Sequence, residues 1–326
     1  MYDVVTLGEA MLRLVPPNWQ RLEQTDSFKV TVGGAEHSVA ADVSRLGLRS
    51  AWISKLPENP MGRMIANKAR EQGVDTSHVV WTKDGRAGLY FVEFGSTPRA
   101  TAVVYDRKDS AVSMLRPGEI KWEAILDGTK LFHTSGITPA LSQSCREATI
   151  EAIEYARKAH CKTSFDLNYR AKLWSATEAK ACLEKILDKV DILITTQFDA
   201  EEVLGYTGTY ENIAERFSDD FGIPVVAITL RGVKTVWTGT WTSLVYADGK
   251  LYTDDVSNIE IVDRFGAGDS FTAGLIYGYL TTGVEQGLKI GDAMAALKHS
   301  IPGDINWVTM EDIQKFLKSK DFRVQR

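Results

Sequence analysis

The stretch Asp263-Arg264-Phe265-Gly266-Ala267-Gly268-Asp269 runs straight into an apolar, helix-forming segment, residues 270–281, and its reading decides the fold. A Gly-Ala-Gly turn that opens a helix leaves several backbone N–H groups unpaired at the positive end of the helix dipole. No side chain in the turn is larger than a methyl, so an anion can approach those groups closely. Phosphate oxygens fit such a hole. Asp269, in the first turn, stands beside the anion and is placed to accept a proton from an attacking hydroxyl. The plainer reading is that Asp269 only complements the helix dipole, as first-turn carboxylates commonly do. Two other phosphate-binding patterns are absent. The chain has no Gly-x-x-x-x-Gly-Lys-Ser/Thr, and the Gly266/Gly268 pair lacks the third glycine of a dinucleotide fingerprint.

Outward from that turn, strand-like and helix-like segments alternate. Short apolar runs at 4–7, 51–54, 131–134, 163–166, 192–195 and 225–229 read as buried strands. Apolar residues at helical spacing mark helices from about 35 to 46 and at 61–72, 142–159, 177–187 and 210–221, and three more near 266–281, 284–300 and 309–318. Residues 235–253 read as hairpins. Such alternation predicts an α/β fold: a three-layer α/β/α core with a mainly parallel central sheet. Two segments break the rhythm with short, half-exposed strand patterns, about 10–33 and 86–113. They predict a small β-sheet inserted in two pieces as a lid on a single domain spanning 1–326.

The bulk numbers fit an ordinary globular protein. Of 326 residues, 44% are apolar and 25% charged, and the net charge is −5. That balance argues against nucleic acid or an anionic membrane as the main partner. Cys145, Cys161 and Cys182 are odd in number, with no Cys-x-x-Cys pair, which points to reduced thiols. The five histidines show no zinc-ligand spacing. Met1-Tyr2-Asp3 leads into a strand-like run without a basic leader, so a soluble, cytoplasmic protein is expected.

Gly-Ala-Gly-Asp near one end and Gly33-Gly34 near the other resemble the two signatures of the ribokinase-like (PfkB-type) carbohydrate kinases, and the likeness spans essentially the whole chain. Within that family the chain resembles 2-keto-3-deoxygluconate kinases. Four segments carry this: Gly33-Gly34-Ala35-Glu36; Ser135-Gly136-Ile137-Thr138-Pro139-Ala140-Leu141-Ser142; Asp166-Leu167-Asn168-Tyr169-Arg170 with Leu173-Trp174; and Leu230-Arg231-Gly232-Val233-Lys234.

The resemblance implies transfer of the ATP γ-phosphoryl group to a primary hydroxyl of a sugar acid, with Asp269 as base and Gly266, Ala267, Gly268 and Arg170 completing the catalytic set. Gly33 and Gly34 would let the backbone approach the sugar, Tyr90 and Tyr105 would reach it from the lid, and Ile137 would add backbone contacts. Arg107 would meet the acceptor carboxylate, which an arginine fork suits. A lone strand arginine is otherwise a solvated one. Arg170 would touch both the acceptor and the phosphate. Around ATP the resemblance places Thr229, Arg231, Gly232, Lys234, His299 and Pro302, with a plain surface position as the competing reading of His299.

Magnesium (Mg2+) is implied, and the family pattern leaves room for a monovalent cation. Where the family usually has Asn-x-x-Glu to orient hydrated magnesium, this chain has Thr196-Gln197-Phe198-Asp199, so Asp199 would act only through water. His37-Ser38 stands where a related kinase usually offers asparagine to the sugar hydroxyls. The competing readings are a fructokinase or other neutral-sugar kinase of the same fold, and a non-catalytic nucleotide-binding relative. A homo-oligomer, dimer or higher, is expected, with the lid edges as a dimer contact because free sheet edges invite pairing.

Overall fold

The computed structural model describes residues 1–318. Its strands, in chain order, are β1 (Val4–Leu7), β2 (Met11–Val15), β3 (Lys29–Gly33), β4 (Ser50–Ile53), β5 (Lys55–Pro57), β6 (Val80–Thr82), β7 (Leu89–Glu93) and β8 (Ala102–Asp106). There follow β9 (Leu131–Ser135), β10 (Lys162–Asp166), β11 (Ile192–Thr195), β12 (Val225–Val233), β13 (Thr238–Ala247), β14 (Lys250–Thr253) and β15 (Ser257–Glu260). The large sheet runs β14-β13-β12-β11-β10-β9-β1-β4, with β15 paired to β13. From β12 to β4 every pairing is parallel, and β13 and β14 add an antiparallel edge. The parallel strands are apolar runs because helices bury both of their faces.

Phe132, Phe165 and Phe217 lie in the core on one side of this sheet, and Trp241 and Phe271 on the other. On the second side the helices Ala267–Thr281 and Val284–Lys298 touch at their backbones. A Cβ on Gly278 would lie 2.1 Å from the Gly287 Cα. That close packing fixes the first helix, and with it Asp269.

The two segments that break the alternation pair with each other. They form a four-stranded sheet, β3-β2-β7-β8, in which β2 runs parallel to β7 and the other neighbours are antiparallel. Three details differ from the sequence reading. β12 runs to Val233 rather than ending near 229, because antiparallel pairing with β13 carries it beyond the parallel layer. Short helices at Trp122–Leu126, Ile137–Ala140 and Gln197–Leu204 were not expected. The segment 177–187 is helical only over Ala176–Leu183, with a tighter turn at Leu187–Lys189. Among the described residues no helix is long and apolar enough to cross a membrane, and all three cysteines are buried and unbridged.

Candidate active site

The C-terminal ends of β1, β9, β10 and β11 open on one rim, where open α/β sheets bind ligands. The helix Ala267–Thr281 begins against that rim. Gly266 adopts φ +82°, and a Cβ there would lie 1.8 Å from the Asp304 carbonyl oxygen, so only glycine fits. No side chain caps the helix, and the N–H groups of Ala267, Gly268 and Asp269 have no partner among the described residues. Three unpaired donors thus face a half-exposed turn. Gly266-Ala267-Gly268 thus opens the helix with unpaired backbone donors, the local geometry the sequence pattern predicts.

Asp269 is half-buried in the first turn. Burial, and then the charges of Asp304 and Glu36, push its carboxyl up to about 7, while Arg170 and Arg231 work in the other direction. A carboxylate poised near neutral pH suits proton acceptance. Asp166, at the end of β10, is pushed up to about 8 by burial and by the charges of Asp269 and Asp199. Asp199 is also raised, chiefly by burial. Thr196 caps the helix Gln197–Leu204, its hydroxyl accepting the Asp199 N–H at 3.1 Å.

Arg170 lies exposed on the loop after β10, where its charge reaches all three carboxylates. Arg231, on β12, places its guanidinium carbon 5.0 Å from the centre of the Trp241 ring. Its Nη2 approaches so closely that a Cβ on Gly268 would lie 2.7 Å away. Two cations therefore flank a negatively charged rim beside the unpaired N–H groups.

Gly33 ends β3 in close packing: a Cβ there would lie 2.0 Å from the Tyr90 hydroxyl and 2.4 Å from Asp304 Oδ2. A Cβ on Gly34 would lie 2.2 Å from the Glu9 carbonyl oxygen. Tyr90 donates to Asp304 at 2.8 Å and stacks on Tyr105, with ring centres 5.9 Å apart. Arg107 is not a solvated strand arginine. Its Nε donates to Glu9 Oε2 at 2.7 Å, and its side chain is 12% exposed against 2% for Glu9. Ile137 opens a short helix, and its N–H reaches Ser135 Oγ at 3.2 Å.

Of the residues expected around a nucleotide, Thr229 is buried in β12 opposite Ser243. Gly232 faces Thr240, and Lys234 is exposed at the hairpin turn, its Nζ 3.4 Å from Asn258 Oδ1. His299 is not on the surface. It is 4% exposed, lies 2.6 Å by Nδ1 from the Ala295 carbonyl and packs beside Trp241. Burial lowers its imidazole to about 4, so it is neutral. Pro302 lines a cavity of about 480 Å³ between the β2–β3 ribbon and the β13–β15 region, which Asp269 does not line.

Four charged residues were missed by sequence reasoning. Glu36 is buried and accepts from Ser135 N at 3.0 Å, Ser135 Oγ at 2.7 Å and Thr138 Oγ1 at 3.0 Å, tying the 135–138 segment to the start of the helix Ala35–Arg45. Glu9, Arg13 and Asp304 are buried as well, Asp304 against Gly33 and Gly266 and Glu9 by its carbonyl against Gly34. Glu36 follows the Gly33-Gly34 pair directly, a signal that was available. The others carry no local pattern. Among the described residues no group of three or more His, Cys, Asp or Glu side chains could hold a metal ion directly.

Residues 1–310 match the model of the pfkB family carbohydrate kinases. A 2-dehydro-3-deoxygalactonokinase of Haloferax volcanii is 39% identical, with 99% of each chain covered. A 5-dehydro-2-deoxygluconokinase of Bacillus subtilis is 30% identical, over 98% of this chain and 97% of its own. The crystal structure of a 2-dehydro-3-deoxygluconokinase from Thermotoga maritima superposes with a TM-score of 0.94 at 40% identity, covering 97% of this chain and 98% of the other. The likeness, in sequence and in a ribokinase-like fold, runs through nearly the whole chain, and the chain belongs to the pfkB family of carbohydrate kinases.

Proposed function

We propose that the protein transfers the γ-phosphoryl group of ATP to the primary hydroxyl of a 2-keto-3-deoxy sugar acid, 2-keto-3-deoxygluconate giving its 6-phosphate. The observation that carries the reading is Asp269, raised to about 7 and standing beside three unpaired backbone N–H groups. The acceptor hydroxyl gives its proton to Asp269 as its oxygen attacks the γ-phosphorus. The N–H groups of Ala267, Gly268 and Asp269, with Arg170 and Arg231, hold the charge on the transferring phosphoryl oxygens. Tyr90, Tyr105, Gly33, Gly34 and Ile137 orient the acceptor, and Arg107 faces its carboxylate.

The site suits magnesium held through water. Asp166 and Asp199 are both raised by burial, and Asp166 by the neighbouring carboxylates as well, which marks negative charge in want of a cation. Bound magnesium would offset phosphate charge there. The four-stranded sheet serves as the lid, and its open edges β3 and β8 offer a dimer contact. The three relatives named above all act, by name, on dehydro-deoxy sugar acids, which favours an acid over fructose. A coupled assay with ATP and magnesium tests this against 2-keto-3-deoxygluconate, 2-keto-3-deoxygalactonate, 5-dehydro-2-deoxygluconate and fructose. The proposal expects the highest kcat/KM for a 2-keto-3-deoxy acid. Preference for fructose would overturn the acid assignment.

A further inference from the structure

Arg13 lies in the middle of β2 with its side chain 1% exposed, and it joins segments far apart in the chain. Its Nη2 donates to Asp263 Oδ2 and its Nη1 to Asp304 Oδ1, both at 2.8 Å. The guanidinium carbon also sits 4.7 Å from the centre of the Phe265 ring and 5.4 Å from that of Phe94. The two carboxylates are the ones that shape the anion-binding turn. Asp263 accepts the N–H groups of Phe265 at 3.1 Å and Gly303 at 2.8 Å. Asp304 packs its carbonyl against Gly266 and accepts the Tyr90 hydroxyl.

Without a cation between them, two buried like charges would flank the turn that must receive phosphate. Lys298 is also buried and its charge reaches both carboxylates, but its Nζ donates to the Ile301 carbonyl at 2.8 Å and forms an ion pair with neither. No other basic side chain among the described residues makes an ion pair with Asp263 or Asp304.

We infer that Arg13 is a positioning residue for phosphoryl transfer: carried on the four-stranded sheet, it bridges Asp263 and Asp304 and so fixes the Gly266–Gly268 turn in register with Tyr90. The inference rests on the reading that this turn holds the transferring phosphoryl group. A shift of about 1 Å in such a group costs on the order of 10²-fold in turnover.

The test measures steady-state kinetics and thermal unfolding of Arg13→Ala, with and without millimolar guanidinium, using urea as the control. The cavity that Arg13 lines gives the small cation a route to the vacated position. The expected result is a kcat lower by on the order of 10²-fold, a smaller change in the KM for ATP, and recovery of about tenfold in kcat with guanidinium but not with urea. A folded Arg13→Ala protein with kcat within about threefold of wild type overturns the inference. So does a loss that guanidinium leaves untouched. Should Arg13→Ala fail to fold, Arg13→Lys decides, since an ammonium keeps the charge but lacks the planar fork that fixes the two carboxylates relative to each other. Reduced kcat at a near-native unfolding temperature supports the role, and full kcat refutes it. Asp269→Asn is measured alongside. If it stays active, the reading of the turn itself fails. If it is inactive while Arg13→Ala is not, only the role of Arg13 is lost.

Discussion

Arg107→Leu asks whether the acceptor is an acid, and the structure changes how its result must be read. The guanidinium pairs with Glu9, a carboxylate whose Oε1 has no protein partner and whose side chain is almost wholly buried. Leucine removes the charge meant for the acceptor carboxylate, a charge-assisted contact worth about 1.5–3 kcal/mol, or roughly one to two orders of magnitude in kcat/KM. It also leaves Glu9 uncompensated in the same pocket, and breaking a buried pair in this way costs roughly 3–5 kcal/mol of stability. The single variant therefore mixes a binding loss with a folding loss.

The double variant Glu9→Gln/Arg107→Leu removes both charges and separates the two effects. It should unfold at a temperature closer to wild type than Arg107→Leu does, yet keep the deficit towards 2-keto-3-deoxygluconate. Fructose turnover, where measurable, should change little in the double variant. The assay is kcat/KM for both acceptors at saturating ATP, with thermal unfolding of each variant. Equal loss for both acceptors in the double variant, or recovery of acid turnover on adding Glu9→Gln, would refute the reasoning.

Two further outcomes follow from the same geometry. Asp269 must be ionised to accept a proton and its carboxyl is raised to about 7, so kcat/KM should be lost as pH falls through about 7, roughly tenfold per unit below it. Arg170 lowers that value, so Arg170→Met should move the acid limb to higher pH; an unmoved limb counts against the assignment. Acceptor binding should protect the amides of β2, β3, β7 and β8 from hydrogen exchange if the four-stranded sheet closes over the sugar. Unchanged exchange at saturation speaks against a lid.

Much of the fold was legible because its parallel strands and long helices carry strong periodicity. The helix Tyr210–Phe221 lies where the apolar spacing placed it, and the strand Ile192–Thr195 likewise. The short helix Gln197–Leu204 carries a Thr196-x-x-Asp199 capping pattern, but its eight residues are too few for apolar periodicity to mark it. Arg13 shows a deeper limit. In strand alternation Arg13 falls on the face opposite Leu12 and Leu14. Alternation assigns a residue to a face, but it cannot say that the face is open. The opposite face of β2 is covered by Phe265 and Asp304, and Asp304 lies 291 residues away in the chain. Glu9 and Asp304 escaped for the same reason: their partners, Arg107 and Arg13, are close only once the chain has folded.

In the proposed reaction Asp269 takes the proton from the acceptor hydroxyl, and Asp269→Asn removes that step alone. Asparagine keeps the size and polarity of the side chain but cannot accept that proton. The measurement is single-turnover phosphoryl transfer to 2-keto-3-deoxygluconate, with nucleotide binding followed in parallel. The rate should fall by roughly 10²–10⁴-fold with nucleotide affinity largely kept. A rate within a few-fold of wild type would contradict the role of Asp269.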